Sequence, residues 1–294
     1  MTTLTSLPFV RTEVAVGPLT TYKLGGPASY YAEVSDRDEL EAVIAAWQGS
    51  GLPLLVLGRG SNLVVADEGI DALVLRLVGA FGSVEMQSGH VWAGAAARLP
   101  QLARAAVAAG RLGLEFYVGI PGSVGGAVRQ NAGGHGRETR DVLADATVLD
   151  ARTGVVSVRD KVALDLSYRH SSIAPTDVVL DARFEYVAGD PGVGEATMRE
   201  ITRWRREHQP GGTYNAGSVF KNPPGDSAGR IIDSLGLKGT RVGDVSVSDK
   251  HANFFVAGPE ATAADLHQLV LEVRAIVEAR TGIGLEVEIQ FEGF

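Results

Sequence analysis

The chain has 294 residues, 45% of them hydrophobic, and a formal net charge of −8. That is enough sequence for two ordinary domains with filled cores, and the absence of a Lys/Arg block argues against a nucleic-acid surface. With no cysteine and only six scattered histidines, disulfides, thiolate catalysis and Cys-based metal sites are excluded, no metal-ligand cluster is readable, and a reducing cytoplasmic setting fits.

The start, MTTLTSLPFVRTEV, has neither a basic head nor a sustained apolar core, and no apolar run reaches the ~18 residues of a membrane span, so neither secretion nor membrane insertion is expected. Ser35 opens an S-x-x-D capping box ahead of Leu40, Val43, Ile44 and Trp47 at helical spacing, with Gly49 and Gly51 to end the helix. Leu52–Leu57 reads as a strand; Gly58-Arg59-Gly60-Ser61-Asn62 breaks it, and Leu63-Val64-Val65 resumes. Ala72–Leu77 and Val91–Ala93 are further short strands, and Leu99–Ala109 is an alanine-rich helix stopped by Gly110.

From Glu115 to Arg137 the chain concentrates seven glycines, Gly119, Gly122, Gly125, Gly126, Gly133, Gly134 and Gly136, among apolar residues such as Phe116, Tyr117 and Val124. Glycine there implies positive φ or backbone lying directly against a ligand, and successive N–H groups of such turns suit an anion, with Ser123 and Asn131 as side-chain donors. The stretch is neither G-x-G-x-x-G nor G-x-x-x-x-G-K-[ST], so it is not the loop of a standard nucleotide-binding fold.

Thr147–Val158 reads as two alternating runs around a turn at Thr153-Gly154, Val178–Val187 as another strand, and Ala188–Gly194 as a boundary between domains. Met198, Ile201 and Arg205 share one side of a helix ending before Pro210. Asn215–Pro224 gathers an alcohol, a cation and two amides between Gly and Pro, suited to a polar ligand. Ser227–Leu237 is a short helix, Asn253–Val256 a buried strand, and Thr262 with Asp265 a second capping box before an apolar stripe from Leu266 to Val277. Finally Leu285, Val287, Ile289 and Phe291 alternate with Glu286, Glu288, Gln290 and Glu292 as a one-sided strand. Short strands outnumber helices, giving an α+β fold.

In this order, Thr20–Gly26, Gly58–Asn62, Gly119–Gly126, Tyr168-Arg169, Gly217–Pro223, Ala228–Asp233, Lys250–Phe254 and Leu285–Phe291 resemble the UDP-N-acetylenolpyruvoylglucosamine reductase (UDP-N-acetylmuramate dehydrogenase) family across nearly the whole chain. The resemblance implies an FAD-binding domain of the vanillyl-alcohol-oxidase (PCMH) type over 1–189, in subdomains of about 1–66 and 67–189. A smaller substrate domain follows over 190–294, its last strand a candidate to return to the active site. It implies non-covalent FAD reduced by NADPH, hydride transfer to the enolpyruvyl ether of a UDP-sugar, and UDP-N-acetylmuramate for peptidoglycan as product. Small molecules are then the partners; a monomer is compatible.

By position in the motifs, the resemblance assigns Arg169, Ser218 and Glu288 to catalysis. Arg169 would be the cation near the substrate carboxylate, Ser218 the proton donor and Glu288 the acid of the terminal strand, with Lys221 a local stabiliser of Ser218. Gly58, Arg59, Gly60, Ser61, Asn62, Gly119, Ile120, Pro121, Gly122, Ser123, Gly125, Gly126 and Asn131 would hold the cofactor. Arg205, Asn222 and His251 would hold substrate, the last at a position some members fill with Gln. His208, Arg129-Gln130 and Ala257 depart from the family pattern. Room for only one helix between Val187 and Asn215 matches the family's shorter form, without a tyrosine-bearing lid insertion. Rival readings are an FAD-dependent alcohol oxidase on the same fold and a non-catalytic UDP-sugar or flavin-binding module.

Overall fold

The computed structural model describes residues 3–294, so Met1 and Thr2 of the start lie outside it. The chain forms two compact units that interleave along the sequence: 3–13, Tyr30–Arg59 and Ala72–Trp204 make the first, and Val14–Ser29, Gly60–Asp71 and Arg205–Phe294 the second. This differs from a single break near 189. The glycines there serve a helix, Pro191–His208, in which Gly194 sits against Val107 and Leu112 so closely that a Cβ would lie 2.7 Å from a Val107 methyl.

Unit 1 carries a four-stranded sheet in the order Val10–Ala15, Pro27–Val34, Ile70–Leu77, Leu54–Val56, and a five-stranded sheet in the order Val155–Asp160, Leu143–Asp150, Asp177–Phe184, His90–Gly94, Val84–Gln87. Neighbours in the second sheet are antiparallel. The turn at Thr153-Gly154 joins its first two strands, with Gly154 at φ 74°. In the helix Arg37–Gln48 the cap is Asp36, one residue later than the S-x-x-D reading. Its carboxylate accepts the Glu39 N–H at 3.0 Å, and the Glu39 carboxylate takes both the N–H and the hydroxyl of Ser35 at 2.7 Å. Leu40, Val43, Ile44 and Trp47 of that helix and Leu102, Ala103, Ala106 and Val107 of Leu99–Ala108 are buried in one core. Each large side chain so removed from water contributes about 1.5–3 kcal/mol.

Unit 2 has a three-stranded sheet in the order Arg241–Val242, Val245–Val247, Phe255–Ala257, and a parallel pair, Gln290–Glu292 with Leu63–Val65. The strand expected at Asn253–Val256 thus begins at Phe255. The helix Ala263–Thr281 has the predicted Thr262/Asp265 capping box, and the Asp67 carboxylate adds bonds from the Ala263 and Ala264 N–H groups, each at 2.9 Å. A carboxylate on the first free N–H groups of a helix offsets both their desolvation and the dipole. Gly60 is left-handed at φ 61°, and a Cβ there would meet the Leu19 carbonyl oxygen at 2.6 Å. Tyr22, fully buried, donates its hydroxyl to the Phe255 carbonyl at 3.1 Å.

The terminal segment is only partly the single strand its alternation predicts. Leu285 and Ile289 are buried and Glu286 exposed, as expected, but the segment changes partner on either side of Ile289. Residues 286–288 pair with 219–221, and 290–292 with Leu63–Val65. Among the described residues no helix is long and apolar enough to cross a membrane.

Candidate active site

Unit 1 contains a cavity of ≈ 350 Å³, and of the residues expected to hold a cofactor it brings Gly58, Arg59, Ser123, Gly125 and Gly126 to its wall. Gly58 faces Ser123 across a gap that a side chain would close, since a Cβ would lie 2.6 Å from the Ser123 hydroxyl oxygen. The glycine turn does not act as a nest of open amides. The Val124 N–H donates to Ala97 O at 3.0 Å, Gly125 N–H to Ala95 O at 2.9 Å, and Gly126 N–H to the Ser123 hydroxyl at 3.4 Å. Anion-holding capacity lies instead in side chains, because Arg76, Arg98 and Arg129 join Arg59 on the wall. Burial, then the charges of Arg98 and Arg76, lower the Arg59 pKa. Glu33 offsets Arg76 at 3.2 Å, and the buried Asp177 is already paired with Arg159 at 2.7 Å. Glycine walls under a surplus of guanidinium charge fit the diphosphate of a dinucleotide such as FAD.

Gly119, Ile120, Pro121 and Gly122 do not line the cavity. Gly119 ends the tight helical turn Glu115–Gly119, and the Gly122 carbonyl accepts the Leu99 N–H at 3.1 Å. Asn131 is fully buried and left-handed at φ 43°. Its amide donates to the Glu138 carboxylate at 3.0 Å and to Ser167 O at 2.8 Å, and its carbonyl accepts the Arg140 N–H at 2.9 Å. Asn131 therefore works as a strut in unit 1. One end of the strut is the reversal that carries Arg169. Ser167 and His170 exchange backbone hydrogen bonds, Arg169 takes φ 53°, and its guanidinium donates to Gly133 O at 3.2 Å. A left-handed arginine is strained, and such strain is held where the surrounding structure fixes it from several sides.

Gly60, Ser61 and Asn62 belong to unit 2, where the Asn62 side-chain amide donates to Glu288 O at 2.9 Å and the Asn62 main-chain carbonyl accepts the Gln290 N–H at 2.9 Å. Unit 2 also brings Ser218 and Glu288 together on adjacent antiparallel segments. The Glu288 N–H donates to Val219 O at 2.8 Å and Phe220 pairs with Val287, leaving Ser218 one residue out of register from Glu288. Ser218 is half-buried, pairs through its backbone with Phe254, and makes no side-chain hydrogen bond among the described residues. Its hydroxyl therefore does not cap the turn before Phe220. Lys221 is committed to Glu286 at 2.6 Å, so it anchors the segment beside Glu288 and is not the stabiliser of Ser218 that its spacing suggested.

The remaining unit 2 candidates are held by short local contacts. The Asn222 side-chain carbonyl accepts the Ala228 N–H at 3.1 Å, and Arg205 Nε donates to the Gln209 side chain at 2.7 Å. Burial lowers the Arg205 pKa, although a guanidinium remains charged. Burial likewise lowers that of His251, whose Nδ1 accepts the Asn253 N–H at 3.3 Å, leaving a neutral ring with its proton on Nε2. Spacing gave no signal for Arg76, Arg98 or Asn253, because only the fold brings them to these places. No group of three or more His, Asp or Glu able to hold a metal occurs among the described residues.

Two family models match the chain: an FAD binding domain over residues 28–159, and the C-terminal domain of UDP-N-acetylenolpyruvoylglucosamine reductase over 209–292. UDP-N-acetylenolpyruvoylglucosamine reductase 2 of Symbiobacterium thermophilum is 43% identical over 277 residues, covering 93% of this chain and 89% of that protein. The Rhodopseudomonas palustris protein of the same name, without the numeral, is 43% identical over 276 residues, covering 94% of this chain and 89% of the relative. The crystal structure of UDP-N-acetylenolpyruvylglucosamine reductase from Thermus caldophilus superposes with a TM-score of 0.83 at 38% identity, covering 97% of this chain and all of that one.

Proposed function

Because the chain belongs to the UDP-N-acetylenolpyruvoylglucosamine reductase family, we propose that it reduces UDP-N-acetyl-3-O-(1-carboxyvinyl)-glucosamine to UDP-N-acetylmuramate for peptidoglycan synthesis. NADPH is the reductant and the reaction is cytoplasmic, where nucleotide sugars and NADPH are made. We assign it to the family's shorter form: one helix, Pro191–His208, fills most of the connection that would carry a lid. Bound FAD would supply the hydride carrier that links NADPH to the terminal enol carbon of the substrate.

The chain's own residues do the rest. In unit 1, Gly58, Ser123, Gly125 and Gly126 leave room for the cofactor and Arg59 with its neighbouring arginines balances its diphosphate. Arg169, fixed in its left-handed turn, offsets the charge that builds on the substrate carboxylate as hydride arrives, a contact that strengthens only in the transition state. In unit 2, Ser218 gives its proton to the neighbouring carbon, and Glu288 is the acid on the adjoining segment. Arg205, Asn222 and His251 hold the UDP-sugar, the histidine as a neutral Nε2–H donor. The observation that carries the acid role is the half-buried Ser218 hydroxyl without a protein partner. Such a hydroxyl is not committed to a protein acceptor and remains able to reach a substrate atom within hydrogen-bond distance, the first requirement of a general acid. Anaerobic titration tests the whole reading: NADPH should bleach stoichiometric flavin and the enolpyruvyl UDP-sugar should restore its colour. Flavin that NADPH bleaches but the sugar leaves reduced would overturn it.

A further inference from the structure

The segment bearing Ser218 is the middle of three chain segments in unit 2, and one of its two sides is finished by a side chain. On the first side, residues 286–288 pair with 219–221 through backbone hydrogen bonds, with the Lys221–Glu286 ion pair at one end. On the second, Ser218 pairs with Phe254 and the Val219 N–H donates to Asn253 O at 2.8 Å, but the pairing then stops. The chain before Asn253 folds away in a turn: the Phe254 N–H bonds His251 O at 2.9 Å and the Asn253 N–H goes to the His251 ring. No strand remains to meet the Phe220 peptide. The Asn253 side chain meets it, accepting the Phe220 N–H at 3.0 Å and donating to the Phe220 carbonyl at 2.8 Å. Asn253 is 2% exposed and Phe220 fully buried, its ring edge-on to Phe255 at 6.0 Å.

We infer that Asn253 is a positioning residue for the proton donor: its amide imitates one residue of missing strand, locks the Phe220 peptide, and thereby fixes Ser218, two residues away, beside the segment that carries Glu288. This rests on the reading of Ser218 as the acid. The amide is required because the peptide presents one donor and one acceptor side by side, and a buried side chain must supply the complement of both. An apolar residue of similar volume would fill the space and leave both groups unmet. Displacement of Ser218 by about an ångström costs roughly 10²-fold in the step it serves. The step in which NADPH reduces flavin makes no use of Ser218.

The test is stopped-flow measurement of the two half-reactions in flavin-loaded Asn253→Asp across about pH 5.5–8. The substitution keeps the shape. Ionised, the new carboxylate has no donor for the Phe220 carbonyl; protonated, it again offers one donor and one acceptor, and burial raises the pH at which it protonates. The other ionisable groups around this stretch are His251 itself, Lys221, Glu286 and Glu288 on the paired segments, and Asp233, Lys238 and His208 near His251; all are present in parent and variant, so the ratio of the two rates reports the substitution. Expected at pH 8 is reoxidation by the enolpyruvyl UDP-sugar slower by about 10²-fold, with reduction by NADPH unchanged and the deficit shrinking at least roughly tenfold as pH falls. In a Ser218→Ala background the same substitution should add nothing further. A pH-independent ratio, equal loss in both half-reactions, or full additivity with Ser218→Ala overturns the positioning role while leaving the acid role standing. Parent-rate reoxidation by Ser218→Ala alone removes the acid role, and the positioning role with it. If Asn253→Asp does not fold, Asn253→Ser, which is shorter and still polar but cannot match both Phe220 groups, should bind flavin and show a reoxidation-only deficit; failure of that variant also to bind flavin assigns Asn253 to folding alone.

Discussion

The acid role proposed for Ser218 falls on a half-buried hydroxyl that makes no side-chain hydrogen bond among the described residues. Ser218→Ala should slow reoxidation by substrate roughly 10²- to 10⁴-fold, the scale of a positioned general acid, or about 3 to 5.5 kcal/mol of barrier, with NADPH reduction untouched. Ser218→Cys should retain more than the alanine variant, and rapid mixing of each half-reaction checks both. Arg169→Met should leave reduction intact and slow reoxidation by about 10²- to 10³-fold; equal damage to both steps would make the left-handed turn a purely architectural feature. His251 gives a pH signature. Its pKa is lowered by burial from 6.5, so between 6.5 and its folded value the unfolded chain binds more protons than the native one. Stability therefore falls as pH drops through that window. His251→Gln should flatten this acid limb in thermal melts while keeping a donor toward substrate, and an unchanged limb would mean that His251 does not set it.

The elements show which parts of the fold a one-dimensional reading reaches. Thr262 and Asp265 are a capping box in the sequence and in the structure because the whole device spans four residues. Asp67, which holds the first N–H groups of the same helix, lies 196 positions from Ala263 and carries no local signature. Asp67→Ala should cost about 1–2 kcal/mol through loss of an N-terminal carboxylate, read as a lowered denaturation midpoint; no loss would make Thr262 sufficient. The terminal alternation correctly put Leu285 and Ile289 inward, yet periodicity cannot announce a change of partner at Ile289. Density of glycine picked out Gly125 and Gly126 of the cavity wall, but the arginines on that wall carried no such signal. Arg98 and Arg76 reach its wall from two different stretches, a convergence no spacing rule encodes. Asn131 was legible as a polar residue in the right loop. Its partners, Glu138 and Ser167, turn it into support for Arg169, since a fully buried amide has no surface left for a ligand.

At the scale of the whole molecule, a cysteine-free chain whose cavity is built from arginines and glycine walls should hold FAD by charge and shape alone. Acid precipitation should leave all flavin in the supernatant, and raising salt should weaken binding as guanidinium–phosphate attraction is screened; flavin that stays with the precipitate would demand a tether. The interleaving of the two units bears on how such a chain is made. Residues 14–29 and 60–71 belong with 205–294, so these early stretches leave the ribosome long before the body they complete. Asp67 precedes its helix by 196 residues, a delay of about 10–40 s at ordinary elongation rates. Through that interval Tyr22, Leu24 and Val64, all core residues of unit 2, have no finished core to enter. The nascent protein thus carries its own unburied apolar surface for most of its synthesis, a built-in demand on chaperones that a chain with end-to-end domains would not make.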